Sequence, residues 1–228
     1  MTKLKLVSVE RKRYQDIVKE LDLTNTKLVA VSKTKPIEDI KVLYDLGQRN
    51  FGENYVQELT EKAAQLPADI RWHFIGHLQS NKVKYIAPFV HLIQVVDSLK
   101  LLQEINKQAL KNNRVIDCLL QIYIAKEETK FGLDERELDD MLTQLTNSEL
   151  KNVKITGLMG MASFSADMNL LRKEFQYLKS LFVKHAELRT PDSRLRTLSM
   201  GMSSDYKIAI EEGSNMVRIG SLIFGERT

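Results

Sequence analysis

The chain alternates strand-length apolar runs with segments of helical period, and this alternation restricts its possible folds more than any other feature. An opening helix is predicted from one apolar face formed by Tyr14, Ile17, Val18 and Leu21. The strands predicted after it cover residues 27–33, 50–52, 70–75, 90–96, 116–125, 154–161, 196–200 and 215–219. A helical segment separates each strand from the next. Repeated βα units of this kind are typical of a parallel sheet.

Local signals also predict where several helices begin and end. Pro36 suits the first turn of the helix after the first strand, and Gly47 is placed to end it. Ser98 is predicted to open the helix after the fourth strand, and Asp134 with Glu137 forms a capping-box pattern. Eight units in roughly 200 residues fit an α/β fold, a single-domain TIM (β/α)8 barrel over residues 1–228, better than an open doubly wound sheet. The absence of GxGxxG after the first strand removes the usual sign of a dinucleotide fold without excluding other open sheets.

Composition excludes several classes of protein. No apolar run reaches the ~18 residues that a membrane span needs, and the N-terminus lacks the apolar segment of a secretory signal. Cys118 is the only cysteine, so no internal disulfide forms. The 34 basic and 30 acidic residues are interspersed rather than gathered into a basic arm. We therefore expect a cytoplasmic protein with no membrane or nucleic-acid partner, and a small anion as its ligand.

Ligands of parallel sheets and barrels bind beyond the carboxyl ends of the strands, so the residues directly after each apolar run are the site candidates. These positions are rich in glycine and polar side chains. They are Lys33, Gly52, Glu53, Asn54, Gly76, His77, Asn81, Lys130, residues 159–163, residues 201–204 and residues 218–221.

Two glycine-serine turns after the last two strands indicate a phosphate site. They are GMSSD at 201–205 and RIGS at 218–221, and barrel phosphate sites are frequently formed by these loops. We predict a phosphate at Ser203, Gly220 and Ser221, with simple helix capping by serine and glycine as the alternative. Arg218 lies within an apolar run, so it is expected either to meet an acceptor or anion in the barrel mouth, or to pair with a glutamate on the helical side.

Lys33 follows the apolar run LVAV and Ser32, and it is a candidate nucleophile. A lysine near other cations or in partly desolvated surroundings has a lowered pKa, which increases the neutral amine that forms a Schiff base with a carbonyl. The alternative is an ordinary solvated lysine. A phosphate site together with a Schiff-base lysine suggests pyridoxal 5'-phosphate (PLP), the active form of vitamin B6, as the cofactor.

Six linked motifs carry a resemblance to a known family over nearly the whole chain. They are AVSKTKP (30–36), FGENYVQE (51–58), WHFIGHLQSNK (72–82), GLMGM (157–161), LSMGMSSD (198–205) and MVRIGSLIFGER (216–227). In order and content they resemble the YggS/PROSC family of PLP homeostasis proteins. This resemblance implies a barrel related to the N-terminal barrel of alanine racemase, the third fold type of PLP enzymes.

The resemblance also implies roles for individual residues. Lys33 would hold PLP as an internal aldimine, and Arg218 would face the pyridine nitrogen. The phosphate would be held by Ser203, Gly220 and Ser221 with backbone near Met202, while Asn54 and Met159 would line the ring. His77 stands where many members have proline, and its role and that of Lys82 are not assigned. Lys130 is a candidate accessory lysine.

A carrier is expected rather than an enzyme. The resembling racemases take a second acid/base tyrosine from a C-terminal β domain, and this sequence ends at Thr228, directly after the eighth strand. An arginine against the pyridine nitrogen also weakens carbanion stabilisation. We expect a monomeric protein that buffers PLP or delivers it to apo PLP-dependent enzymes. The alternatives are a PLP-dependent amino-acid racemase or decarboxylase, and a barrel that binds another anion without an imine.

Overall fold

The computed structural model describes residues 9–125, 131–146, 150–186 and 194–225, and within these ranges eight parallel strands form a closed barrel. Each strand pairs with the next, and the last pairs with the first. The strands are β1 (Lys27–Val31), β2 (Asn50–Glu53), β3 (Arg71–Phe74), β4 (Leu92–Val96), β5 (Ile116–Ile122), β6 (Val153–Gly160), β7 (Thr197–Ser199) and β8 (Met216–Ile219). The predicted TIM barrel is confirmed.

Helices alternate with these strands. They are α1 (Arg11–Leu23), α2 (Ile37–Asp45), α3 (Val56–Ala63), α4 (Val83–Ile86), α5 (Leu99–Lys111), α6 (Glu135–Thr146), α7 (Met168–Lys184), α8 (Tyr206–Glu211) and α9 (Ser221–Phe224), with a 3₁₀ turn over Ser80–Lys82 before α4. The extra N-terminal helix α1 packs against α9 and buries Tyr14, Ile17 and Leu21, three of the four residues of its predicted apolar face. No helix in the described ranges is long and apolar enough to cross a membrane.

The predicted capping signals operate as expected. Ser98 accepts a hydrogen bond from the backbone N–H of Leu101 at the start of α5. Asp134 and Glu137 form a reciprocal capping box, in which each backbone N–H donates to the other side chain at 2.9 and 2.7 Å. Gly47 follows α2 with a φ of +99°, the left-handed conformation that ends helices. Local sequence therefore predicted these helix ends correctly.

Several predicted strands were too long. The first ends at Val31 rather than at residue 33, because Ser32 begins a tight turn in which Lys35 N–H donates to Ser32 O at 3.0 Å. The fifth ends at Ile122 and the seventh covers only Thr197–Ser199. In the fifth and seventh strands apolar residues continue past the last strand pairing, so hydrophobicity alone overestimates these strands.

The barrel interior contains polar side chains, whereas the layer between strands and helices is mostly apolar. Val29 pairs with Arg218, and Ala30 with Ile219, so alternate residues of β1 and β8 project to opposite sides of the sheet. Arg218 faces inward, because it donates hydrogen bonds to Ser199 on the adjacent strand β7 and to the carbonyl of Gly160 on β6, one strand farther. The other row, with Ala30 and Ile219, is completely buried on the side of the helices.

Candidate functional site

Lys33 lies in the tight turn between β1 and α2 and is half-buried. The next residue, Thr34, has a φ of +63°, an unfavourable conformation for a β-branched side chain. The backbone N–H of Thr34 donates to Glu58 Oε1 at 2.6 Å, which holds the turn in this conformation. Surrounding contacts that maintain such strain are typical of functional sites.

A buried ionic cluster supports this turn, and we call Ser32, Glu53, Glu58 and Lys62 the turn clamp. Lys62 Nζ on α3 donates to Glu53 Oε1 at 2.8 Å, to Glu58 Oε1 at 2.6 Å and to the carbonyl of Ser32 at 2.7 Å. Ser32 Oγ donates to the same oxygen of Glu53 at 2.6 Å. The clamp therefore binds the backbone on both sides of Lys33.

The clamp is an electrostatically costly arrangement. The side chains of Glu53 and Lys62 are 0% and 6% exposed. Burial raises the pKa of Glu53 to about 6, although the Lys62 ammonium and the Ser32 hydroxyl both oppose the rise. A buried ion pair contributes little net stability compared with apolar packing. Its clear structural effect is to position the Lys33 turn.

The two predicted phosphate turns meet at the same end of the barrel. Gly220 N–H donates to Ser203 Oγ at 3.2 Å, which joins the loop after β7 to the loop after β8. The backbone N–H of Met202 does not take part in this contact between the two loops, because it donates to Asp205 Oδ1 at 2.6 Å. Ser203 and Gly220 are therefore brought together, while the backbone donor of Met202 is already used within its own loop.

Unused hydrogen-bond donors surround this junction. Across the described residues, no hydrogen-bond partner is found for the backbone N–H groups of Ser203, Ser204, Ser221 and Leu222. The hydroxyl of Ser203, which accepts from Gly220, keeps its own proton for donation. These groups fit an acceptor-rich oxyanion such as a phosphate.

The phosphate turns lie directly against the end of β1. A Cβ atom added to Gly220 would stand 3.2 Å from the carbonyl oxygen of Val31, so only glycine permits this approach without displacement. Lys35 Nζ also donates to the carbonyl of Phe224 in α9 at 2.7 Å. These contacts place the Lys33 turn beside the Ser203 and Gly220 turns.

Arg218 is a buried cation that is held by neutral acceptors. It is 4% exposed, and Nη1 donates to Ser199 Oγ at 2.6 Å and Ser199 O at 3.0 Å, while Nη2 donates to Gly160 O at 3.0 Å. Burial lowers its pKa to about 10, and Asp205 opposes the decrease. Arg218 forms no ion pair with any described residue, so the alternative of a glutamate partner on the helical side is wrong.

A chain of hydrogen bonds below Arg218 crosses the barrel interior, and we call it the interior chain. Arg218 donates to Ser199 Oγ, which donates to Gln94 Oε1 at 2.7 Å. Gln94 Nε2 then donates to His73 Nδ1 at 2.9 Å, and His73 Nε2 donates to Asn50 Oδ1 at 3.2 Å. His73 must be neutral in this arrangement, because one ring nitrogen accepts a hydrogen bond while the other donates one. Burial holds the pKa of His73 well below the usual range, which favours the neutral form. The chain fixes the orientation of the Arg218 guanidinium.

Asn54 and Met159 border the same end of the barrel. Asn54 follows β2, and its buried Oδ1 has no hydrogen-bond partner among the described residues. A Cβ atom on Gly76 would stand 2.2 Å from the carbonyl oxygen of Asn54, so the loops after β2 and β3 touch. Met159 is completely buried in β6, paired with Ser199 of β7 and therefore on the interior side.

His77 and Lys82 lie farther out, in a groove of about 700 Å³ that also includes Asn54, Tyr55 and Tyr85. His77 is exposed, with Nδ1 4.0 Å from Asp97 Oδ2. Lys82 Nζ lies 5.7 Å from the centre of the Tyr85 ring. These residues form the margin of the site rather than its centre. Lys130 lies outside the described residues.

The turn clamp was missed by sequence reasoning, although one signal for it was present. Glu58 and Lys62 are four residues apart, a spacing that pairs side chains on a helix. Glu53 was a candidate only as a residue at a strand end. Nothing in the sequence indicates that its carboxylate turns outward to meet Lys62 across nine positions.

Comparison with known proteins gives consistent matches. Residues 11–228 match the family model described as alanine racemase, N-terminal domain. The chain is 42% identical over 204 residues to a pyridoxal phosphate homeostasis protein of Pasteurella multocida, covering 88% of this chain and 86% of that protein. It is 40% identical over 220 residues to the protein of that name from Homo sapiens, covering 92% and 79%.

Solved structures agree with this pattern. PipY of Synechococcus elongatus PCC7942, solved with PLP bound, has a TM-score of 0.84 at 34% identity, with 94% of this chain and 99% of that chain covered. Alanine racemase of Bartonella henselae has a TM-score of 0.71 at 16% identity, covering 94% and 61%. The second similarity concerns the fold alone.

Proposed function

Because this chain belongs to the alanine racemase N-terminal domain family, and within it to the pyridoxal phosphate homeostasis (YggS/PROSC) proteins, we propose that it binds PLP through Lys33 and acts in intracellular PLP homeostasis. PipY, a structural relative over nearly its whole length, has been solved with PLP bound. The proposal treats the barrel as one PLP-binding domain of a cytoplasmic, monomeric protein.

The residues at the carboxyl end of the barrel fit PLP. The single observation that carries the proposal is the meeting of an amine-bearing turn and a donor-rich turn, through Gly220 against Val31 and Lys35 on Phe224. PLP carries an aldehyde and a phosphate-bearing CH2 group on adjacent carbons of one ring, so it requires an amine and a phosphate-binding turn that lie side by side. The unpartnered Asn54 Oδ1 at the margin is a further polar atom available to a ligand.

Each residue then has a defined task. Lys33 would hold PLP, because its amine is the group that would supply the nucleophile for a Schiff base with the aldehyde, with water as the leaving group. Ser203, Gly220 and Ser221 would bind the phosphate. The Gly220 N–H, which donates to Ser203 Oγ in this structure, would then donate to the phosphate, as would the Ser203 hydroxyl. The backbone of Met202 shapes this loop, because its N–H is held by Asp205. Met159 and Asn54 border the ring.

The presence of Arg218 favours a protein that holds PLP over an enzyme that turns over amino acids. We propose that the Arg218 guanidinium faces the pyridine nitrogen. A guanidinium does not give up its proton, so it would donate a hydrogen bond to that nitrogen and leave it unprotonated. An unprotonated ring is a weaker electron sink for the carbanions of racemisation or decarboxylation. The protein would therefore buffer PLP, or deliver it to apo PLP-dependent enzymes, with little turnover of amino acids.

Absorption spectroscopy of the purified protein with added PLP tests this function. We expect a Schiff-base band in the unmodified protein, its loss in Lys33→Ala, and its retention in Lys41→Ala, which removes an exposed lysine on α2. Borohydride reduction followed by peptide mapping should then locate the pyridoxyl group on Lys33. A band unchanged by Lys33→Ala, or a label on another lysine, would contradict the proposal.

A second measurement separates the carrier from the enzyme. The PLP-loaded protein is incubated with a panel of amino acids, and the products are analysed for chirality and for loss of carbon dioxide. A carrier should give stoichiometric transfer of PLP to an apo-enzyme without multiple turnovers. Catalytic formation of the opposite enantiomer or of an amine would instead support a racemase or decarboxylase.

A further inference from the structure

A second cavity lies at the opposite end of the barrel, where the strands begin. It has a volume of about 510 Å³, within the range of small-ligand sites. We call it the base cup and define it by Lys27, His73, Asp117, Lys154, Arg196 and Asn215. Arg218 and the phosphate turns lie at the other ends of the strands, so the base cup is separate from the proposed PLP site.

The charge of the base cup is strongly unbalanced. Lys27, Lys154, Arg194 and Arg196 line it, whereas Asp117 is its one carboxylate among the described residues. Lys27, Lys154 and Arg196 form no ion pair and donate no side-chain hydrogen bond within the described chain. Positive charges that share a concave surface repel one another, and the low-dielectric walls concentrate their field. A bound anion would relieve this repulsion.

The basic groups of the base cup also affect the pKa values of the two histidines that line it, His73 and His91. His73 is completely buried there, and its ring centre lies 5.6 Å from that of the exposed His91. Burial is the main cause of the low pKa of His73, and His91, Lys27 and Arg71 lower it further. Burial and Arg71 lower the pKa of His91 as well. The neutral form of both imidazoles is therefore favoured under a ring of lysine and arginine side chains.

We propose that the base cup is a second anion-binding site, which takes a small polyvalent oxyanion of the pyrophosphate or phosphate-ester class between Lys27, Lys154 and Arg196. Lysine and arginine side chains bind phosphate oxygens through strong charge-assisted hydrogen bonds. The base cup is open to solvent, and its basic side chains are gathered in one concavity. This arrangement favours a compact ligand over nucleic acid, which requires an extended basic surface. The three cations lie on β1, on β6 and directly before β7, so the closed barrel is needed to bring them together.

Isothermal titration with inorganic pyrophosphate at constant ionic strength tests this site. The titration is performed on the protein saturated with PLP and on the same protein without it, because the base cup contains none of the residues proposed to bind PLP. We expect saturable binding in the PLP-saturated sample. Lys154→Met and Arg196→Met should each weaken it about tenfold, the loss expected for one charge-assisted hydrogen bond.

Matched controls make the outcome decisive. Lys151→Met removes an exposed lysine just before β6 that does not line the cup, and it should leave pyrophosphate binding and thermal unfolding unchanged. Arg196→Lys keeps the charge and should recover part of the affinity. Absence of binding to the PLP-saturated protein, or equal weakening by Lys151→Met, would overturn the proposal. Tighter binding of an oligonucleotide than of pyrophosphate, lost in the same variants, would overturn the assignment to a small anion.

Discussion

Lys62 Nζ lies 2.8 Å from Glu53 Oε1, in an ion pair that is almost completely withdrawn from water and is directly attached to the backbone of the Lys33 turn. Most buried ion pairs cost about as much in desolvation as they return in attraction. The value of this pair therefore lies in the geometry that it imposes on Lys33. Its effect on cofactor binding and its effect on stability are separable by mutation.

The Lys62→Met variant should lose both stability and rapid reaction with PLP. Removal of the ammonium leaves Glu53 buried without a charged partner, which costs about 3–5 kcal/mol in the free energy of unfolding. In the double variant Glu53→Gln/Lys62→Met, the buried charge is absent and most of that stability should return. The Lys33 turn stays unsupported, so slow Schiff-base formation should persist. Urea unfolding and stopped-flow absorbance measure the two effects, and full recovery of the rate would argue against a positioning role.

The raised pKa of Glu53 makes a distinct prediction for pH. A carboxyl whose pKa rises from 4.5 to about 6 on folding binds more protons in the native state, so its contribution to stability falls as pH rises between those values. The change amounts to about 2 kcal/mol. We expect the unfolding free energy of the unmodified protein, relative to Glu53→Gln, to decrease by this amount from well below pH 4.5 to well above pH 6. An increase over the same interval would contradict the assignment.

Ser203→Ala should weaken binding of PLP about tenfold, because the hydroxyl proposed to donate to phosphate is removed. Pyridoxal, which has the aldehyde but no phosphate, provides the internal comparison and should bind both proteins equally. Ser204→Ala removes the exposed hydroxyl next to it and serves as the control. Equilibrium dialysis measures the binding of both ligands to all three proteins. Equal weakening of PLP and pyridoxal by Ser203→Ala would place its effect outside the phosphate site.

Ser199→Ala should disturb the interior chain. It leaves Gln94 Oε1 without its donor and removes one acceptor from Arg218, at a cost of about 1–3 kcal/mol in unfolding free energy. The absorbance maximum of the Schiff base should shift as well, because the guanidinium proposed to face the ring is less restrained. Loss of stability without a spectral shift would mean that Ser199 acts only in packing.

Thr34→Asn should stabilise the protein by about 1 kcal/mol. The other non-glycine residues with positive φ in the described ranges are Asn25 and Asn113, the residue type that tolerates this conformation best. The backbone N–H that contacts Glu58 is retained, so PLP binding should be unchanged. Chemical denaturation with and without PLP measures both quantities, and a destabilised variant would show that the Thr34 side chain has a role of its own.

Much of the site was predictable because its residues follow strands. Lys33, Asn54, Ser203 and Gly220 were identified from their positions after apolar runs, and all lie at the carboxyl end of the barrel. The direction of Arg218 was not predictable, since strand alternation allowed either side. Its inward orientation becomes clear only from the hydrogen bonds to Ser199 and Gly160.

The sequence by itself determined the features that depend on neighbouring residues. The βα alternation, the cap at Ser98 and the capping box of Asp134 and Glu137 all arise from interactions within a few positions, so periodicity and residue type are sufficient to predict them.

Only the tertiary structure decided the contacts that support the site. Lys35 reaches Phe224 across 189 positions, and Ser199 reaches Gln94 across 105. Such contacts exist because barrel closure brings distant strands together in one register, and a one-residue change in register would turn their side chains to the other face. The sequence thus indicated which residues we propose for the site, whereas the closed barrel decided what holds them in position.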